Sequence, residues 1–221
     1  MAIAVSKTYG LWLWHKAYGI WLLAYGLWHT AYGIVMRYII FYKPYGVLSQ
    51  FTPAHGHRSL ADFGFPKGVY PAGRLDADSE GLLLLTSDGS FQSFISEPKH
   101  KTPKIYLAQV ERVISAAALE KLKKGVVLND GPALPCRARP IEEPALPPRE
   151  PPIRFRKTVP VSWVEIELKE GRNRQVRRML ASVGFPVLRL IRQAIGPVTL
   201  QGLNPGQWRE LTKAEVKGLR V

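Results

Sequence analysis

The sequence predicts an α+β fold built on a mixed sheet. Three observations carry this. Residues 163–168, WVEIEL, alternate strictly between apolar and polar side chains, the period of a half-buried strand. Residues 82–86, LLLLT, form a short continuous apolar run, which suits a strand covered on both faces. Residues 115–124 and 174–183 instead carry apolar side chains at helical spacing. These segments interleave irregularly, which argues for α+β over a regular βαβ sheet.

Each element has its own signal. Residues 37–42 are β-rich and end at Lys43-Pro44-Tyr45-Gly46, a turn sequence. Val69-Tyr70 leads through Pro71 and Gly73 into residues 72–89, AGRLDADSEGLLLLTSDG. Ser87-Asp88-Gly89 closes that stretch as a tight turn, and residues 90–96 are helix-like. Residues 104–112, KIYLAQVER, read as another strand. In residues 115–124, Ser115 is placed to cap a helix, Leu119 and Leu122 to face inward, and Gly125 to stop it. Residues 132–160 are rich in proline, with Pro147-Pro148 and Pro151-Pro152, and are predicted to be an extended loop or insertion outside the core.

Residues 170–192 read EGRNRQVRRMLASVGFPVLRLIR. Asn173 is the predicted N-cap, and Gly184 the helix stop. Val176, Met179, Leu180 and Val183 build the buried face, while Arg174, Arg177 and Arg178 share another. Three guanidiniums on one helix face repel one another unless an anion lies between them. Arginine is the side chain suited to phosphate and to bidentate carboxylates.

The charge balance points the same way. Lys and Arg number 31 against 17 Asp and Glu, a net charge of +14 in 221 residues. A polyanionic partner accounts for that excess, nucleic acid first, with solubility as the alternative. Cys136 is the one cysteine, which excludes an intrachain disulfide and a Cys-rich zinc site and fits a reducing compartment. His15, His29, His55, His57 and His100 show no metal-binding spacing.

Residues 1–36 differ from the remainder. The unit AYG recurs at Ala17, Ala24 and Ala31, and residues 17–35 hold no Asp, Glu, Lys or Arg. The repeat is too regular for an ordinary apolar helix, and each unit spends a Gly and a Tyr where a membrane span prefers Leu or Val. Met36 is the expected native start and residues 1–35 translated repeat sequence, non-native or disordered. A membrane or partner anchor is the alternative. Residues 37–221 are then the working domain.

The carboxylates of residues 72–89 allow several readings. Asp76, Asp78 and Glu80 with Gly81 mimic the start of a calcium loop, but the twelfth position is Ser87, not Glu. A glycosidase pair is not excluded by spacing. Asp78 and Glu80 read most simply as residues that shape and solvate a turn.

Four ordered motifs carry a family resemblance. Residues 73–89 resemble the long G-R-L-D segment of pseudouridine synthases, in the small-subunit-type branch. Lys43-Pro44-Tyr45-Gly46 is similar to that family's first motif, Lys104-Ile105-Tyr106 to its K-x-Y strand, and residues 171–179, GRNRQVRRM, to its basic helix. The resemblance implies a catalytic fold with a mostly antiparallel mixed sheet flanked by helices and no S4 RNA-binding domain. It implies isomerisation of one uridine to pseudouridine in ribosomal RNA, with NDGP at residues 129–132 and PPIR at 151–154 favouring the 23S large-subunit RNA.

No metal or organic cofactor is implied. Asp76 takes the role of the reacting carboxylate, as nucleophile or by assisting glycosidic cleavage. Arg177 is expected as the counter-charge that keeps Asp76 ionised, and Tyr106 as the ring that packs on uracil. Arg74 corresponds to the residue that holds the flipped site open. Lys43, Lys104, Arg172, Arg174 and Arg178 are expected to contact the RNA backbone. A cytoplasmic monomer acting on ribosomal RNA or a pre-ribosomal particle, with no membrane role, is the expectation. The alternative is a non-catalytic RNA-binding or ribosome-assembly protein on the same fold.

Overall fold

A computed structural model describes residues 35–221 apart from His55, residues 98–101, residues 154–158 and Val221. The aromatic repeat, with its native-start and anchor readings, lies outside the described residues. The strands are β1 (Tyr38–Lys43), β2 (Tyr70–Pro71), β3 (Glu80–Thr86), β4 (Lys104–Glu111), β5 (Val127–Leu128), β6 (Gly131–Pro132), β7 (Arg137–Ile141), β8 (Val161–Leu168), β9 (Val187–Ile195), β10 (Val198–Thr199) and β11 (Trp208–Glu210). The α-helices are α1 (Gly89–Ser96), α2 (Ala116–Lys124), α3 (Gln175–Ser182) and α4 (Lys213–Leu219).

The main sheet runs β11-β1-β3-β9-β4-β8-β7, with β2 added to β3 and β10 to β9, while β5 and β6 form a separate hairpin. Among the described strands, β3 and β9 form the one parallel pair, with Glu80 opposite Ile191 and Gly81 opposite Arg192. The expected α+β class with a mixed, mostly antiparallel sheet is the one the chain adopts. Gly81 shows how close the parallel pair is. A Cβ there would lie 2.4 Å from the Arg192 carbonyl oxygen and 2.6 Å from its nitrogen, and φ is +108°.

The continuous apolar run behaves as its pattern requires. Every residue of β3 is buried. Leu82 and Leu84 pack with Phe91 and Ile95 of α1, whereas Leu83 and Leu85 pack with Phe41, Leu60 and Val69 on the other face. A separate cluster joins β4 and β8 to α2 and α3 through Val110, Leu119, Leu122, Val164, Met179 and Leu180. In α2 the Ser115 hydroxyl accepts from the Ala118 amide and Gly125 is the C-cap, as the sequence indicates.

Three local expectations change. The proline-rich segment contains β7, which pairs with β8 at the edge of the main sheet, and Ala138 is buried there. Proline is compatible with a strand at an edge, where one side of the ladder is open. The N-cap of α3 is Arg174, at φ +47° with no side-chain cap, and not Asn173. Glu80 is no solvated turn residue. It opens β3, between β1 and β9, is 2% exposed, and forms two 2.8 Å bonds with the Arg189 guanidinium. Arg189 also donates to the Pro147 carbonyl at 2.9 Å, which ties the proline-rich segment to the sheet.

That buried pair sets a stability prediction. Glu80→Ala strands the Arg189 charge and is expected to destabilise the fold by about 3–5 kcal/mol in urea unfolding. Glu80→Leu combined with Arg189→Met is expected to recover most of that loss.

Candidate active site

The loop between β2 and β3 carries Asp76, and its backbone is pinned from below. Lys43, at the end of β1, is fully buried, and its ammonium donates to the carbonyls of Pro44 at 2.9 Å, Val47 at 2.8 Å and Ala77 at 3.5 Å. The Gly46 amide donates to Ala77 at 2.7 Å. The Ser49 hydroxyl donates to the Leu75 carbonyl at 2.7 Å and accepts from the Leu75 amide. Lys43 therefore braces the loop from inside. The expectation that it contacts an RNA backbone fails, because no surface of it reaches solvent.

From the other side, α3 grips the loop. Arg174 donates two bonds to the Asp78 carboxylate, at 2.9 and 2.8 Å. Arg177, one turn further on, donates to the Asp78 carbonyl at 2.6 Å and sets its Nε 3.5 Å from the carboxylate. Burial works to raise the Asp78 pKa, but the Arg174 hydrogen bond and the charges of Arg177 and Arg174 outweigh it and hold the carboxyl below its usual range. Asp78 is thus a structural anion, not a solvated turn residue.

Asp76 has a different partner from the one expected. Its carboxylate lies 3.5 Å from Arg174 Nη1, while Arg177 acts on it through longer-range attraction. The helix register explains the exchange. Arg174 stands at the left-handed first position, over the loop, and Arg177 is drawn to the Asp78 backbone.

The remaining helix cations also find internal anions. Arg172 and Arg178 both bind Asp130, in the turn between β5 and β6, with Arg178 at 2.6 and 3.1 Å. Arg172 also donates to the carbonyls of Gly131 and Pro132. Of the two kinds of anion suited to these guanidiniums, phosphate and carboxylate, this structure supplies carboxylates, those of Asp78 and Asp130. The carboxylates of residues 76–80 also diverge, since Glu80 faces Arg189 and Asp78 faces Arg174. Among the described residues no group of His, Cys, Asp or Glu gathers as a metal site.

Asp76, Arg74, Lys104, Tyr106, Arg172, Arg174 and Arg192 line a cavity of about 540 Å³. The Asp76 side chain is 35% exposed, at its mouth. Tyr106 lies on β4 directly opposite Arg192 on β9, so both side chains share one face of the sheet. Lys104 is two residues before Tyr106, on that same face. Burial, then the nearby Arg192, lowers its pKa to about 8. Arg74 is exposed at the rim, and its side chain forms no ion pair among the described residues.

Arg192 was not singled out from the sequence, where it lies beyond the Gly184 helix stop at the end of the basic stretch. A signal was present. VLRLIRQAI places Arg189 and Arg192 at opposite parity in an apolar strand, which sends one to each face of a buried sheet.

Lys43 yields a pH prediction. Burial lowers its pKa to about 7 from the usual 10.5. Between those values the unfolded chain binds a proton that the folded chain does not, so folding stability from this group rises with pH across pH 7 to 10.5. Below that window both states are charged, and the burial cost is fully present. Denaturation at a series of pH values is expected to show this rise in the wild type and a flatter curve in Lys43→Met.

Residues 37–182 match the RNA pseudouridylate synthase family. "Ribosomal large subunit pseudouridine synthase E" of Vibrio vulnificus (strain CMCP6) is 53% identical over 174 residues, spanning 79% of this chain and 74% of that protein. The protein of the same name from Xanthomonas campestris pv. campestris is 56% identical over 176 residues, 77% of this chain and 93% of that one. "Ribosomal large subunit pseudouridine synthase B" of Bacillus subtilis (strain 168) is 38% identical over 186 residues, 83% of this chain and 71% of that one. A solved structure described as "Crystal structure of pseudouridylate synthase" superposes with a TM-score of 0.70 at 28% identity, covering 84% of this chain and 74% of its own. With the cavity, its carboxylate and its facing tyrosine in place, these matches show that the chain belongs to the RNA pseudouridylate synthase family.

Proposed function

We propose that this protein converts one uridine of large-subunit ribosomal RNA to pseudouridine, as a cytoplasmic monomer, with Asp76 as the reacting carboxylate. The observation that carries this is the placement of Asp76. Its carboxylate stands at the mouth of the cavity, 3.5 Å from Arg174, while the neighbouring acids Asp78 and Glu80 are consumed by internal ion pairs. The large-subunit target is supported by the relatives that are 53% and 56% identical. No described helix is long and apolar enough to cross a membrane.

The geometry suits the chemistry. The base must leave the ribose, turn and re-attach through carbon without escaping. A cavity of about 540 Å³ holds a nucleoside with room for that turn. A uridine in folded RNA reaches it by flipping out of its stack, and Arg74 at the rim is positioned to occupy the space left behind. Asp76 acts at the sugar, Arg174 stands 3.5 Å from its carboxylate, and Arg177 fixes the loop that aims it. The Tyr106 ring forms one wall for the uracil and stands ready to take the proton from carbon five. Lys104 remains a candidate for a phosphate or base oxygen. Arg172 and Arg178 meet phosphate only by releasing Asp130.

Two measurements test this. Asp76→Asn is expected to reduce tritium release from 5-tritiated uridine in ribosomal RNA to background while RNA binding persists, and undiminished release would remove Asp76 from the mechanism. Asp130→Asn weakens the hold on Arg172 and Arg178 and is expected to steepen the salt dependence of RNA affinity by up to about two units in log–log slope.

A further inference from the structure

We propose that Arg192 is a catalytic residue: its guanidinium donates to a carbonyl oxygen of the detached uracil and holds the negative charge the base carries between cleavage and re-attachment. This rests on the function proposed above.

Arg192 is built into the site. It stands between Gly81 of β3 and Tyr106 of β4. The register then shifts, with Ile105 opposite Ala194, so Gln193 is an extra residue and β9 is bulged there. Bulges of this kind re-aim a neighbouring side chain. The Arg192 Nε donates to the Leu82 carbonyl at 2.7 Å, which locks the guanidinium plane. Nη1 makes a long 3.4 Å bond to the Arg74 carbonyl, and Nη2 is shielded from water and meets no acceptor among the described residues. The residue is 4% exposed and lines the cavity.

Its charge is as distinctive as its donors. Arg172, Arg174, Arg177, Arg178 and Arg189 each have a carboxylate within ion-pair distance. Arg192 has none among the described residues. A buried cation without a counter-ion is costly to the fold, and an apolar side chain would fill the space at less cost. Lys104 beside it also lacks a carboxylate among the described residues, and burial, then the Arg192 charge, lowers the Lys104 pKa. The inner end of the cavity therefore seeks an anion.

The reaction makes one there. The C1′–N1 bond breaks, and its electron pair departs with the uracil, spread over the ring nitrogens and both carbonyl oxygens. After the ring turns, C5 bonds to C1′, C5 loses its proton and N1 gains one, so atoms and electrons balance with no co-reactant. A fixed donor that is stronger toward the anion than toward the neutral base accelerates both bond changes. Asp76 serves the sugar from the mouth, and Arg192 serves the base from within. A flanking phosphate would find the exposed Arg74 before this enclosed side chain.

The test compares ribosomal RNA fragments carrying uridine or 5-fluorouridine at the target position. Fluorine makes uracil a better leaving anion, which needs less help. Loss of the target nucleoside is followed by mass spectrometry in single turnovers. Arg192→Gln is expected to slow uridine conversion about 100-fold, and 5-fluorouridine consumption by no more than about 10-fold, with RNA affinity unchanged. Arg192→Lys keeps the charge and is expected to fall between, and it carries the comparison if Arg192→Gln does not fold by circular dichroism. Equal losses on both substrates overturn the proposal, as does an unchanged rate with weakened RNA affinity. Wild-type protein inactive on both substrates overturns the parent reading as well, which separates the two failures.

Discussion

The site exists because two distant segments share one parallel pairing. β3 and β9 meet over Glu80 and Gly81, and the missing Cβ of Gly81 lets the Arg192 backbone approach to a distance no other residue permits. One half of the sheet, built from β1, β2 and β3, brings the loop with Asp76. The other half, built from β4, β8 and β9, brings Tyr106, Lys104 and Arg192. Every distance across the cavity follows from that junction. The buried Glu80–Arg189 pair lies beside it, so charge and backbone register reinforce one another.

Net charge is a poor guide to what a ligand meets. The chain carries an excess of +14, yet much of its arginine is already engaged. Asp78, Asp130 and Glu80 absorb the guanidiniums of Arg174, Arg177, Arg172, Arg178 and Arg189. These pairs position loops. They hold the Asp76 loop to α3 and the β5–β6 hairpin to the start of the same helix. Among the described residues, the cations lining the cavity without a carboxylate include Arg74 at its rim, Lys104 on its wall and Arg192 at its floor, with Lys169 exposed at the edge.

The periodic elements were legible because periodicity reports burial directly. The four leucines of β3, the alternation of β8 and the capped α2 all lie where their patterns put them. The family motifs brought Asp76, Tyr106 and the basic helix into one site. What the sequence could not show was the partner of each charge. Asp78 and Glu80 are two positions apart, yet one closes a loop against α3 and the other is buried against β9. That difference depends on which strand lies alongside, and Arg189 is 109 positions from Glu80. For the same reason Arg174 displaced Arg177 as the near neighbour of Asp76. β7 was missed because its proline and arginines suit an edge, where a one-sided ladder leaves a weak pattern.

That edge bears on how the chain survives its own assembly. A sheet whose central pairing joins residues about 110 positions apart closes late, after a long loop has been searched. Until then its borders are open to strands from other molecules. β7 ends the sheet with Pro140, which has no amide to offer, and with Arg137 and Arg139 held against Glu167 and Glu165 of β8. β11, at the opposite border, is three residues long. Neither border templates a further strand, so slow closure at the centre is not punished by filament growth at the rim.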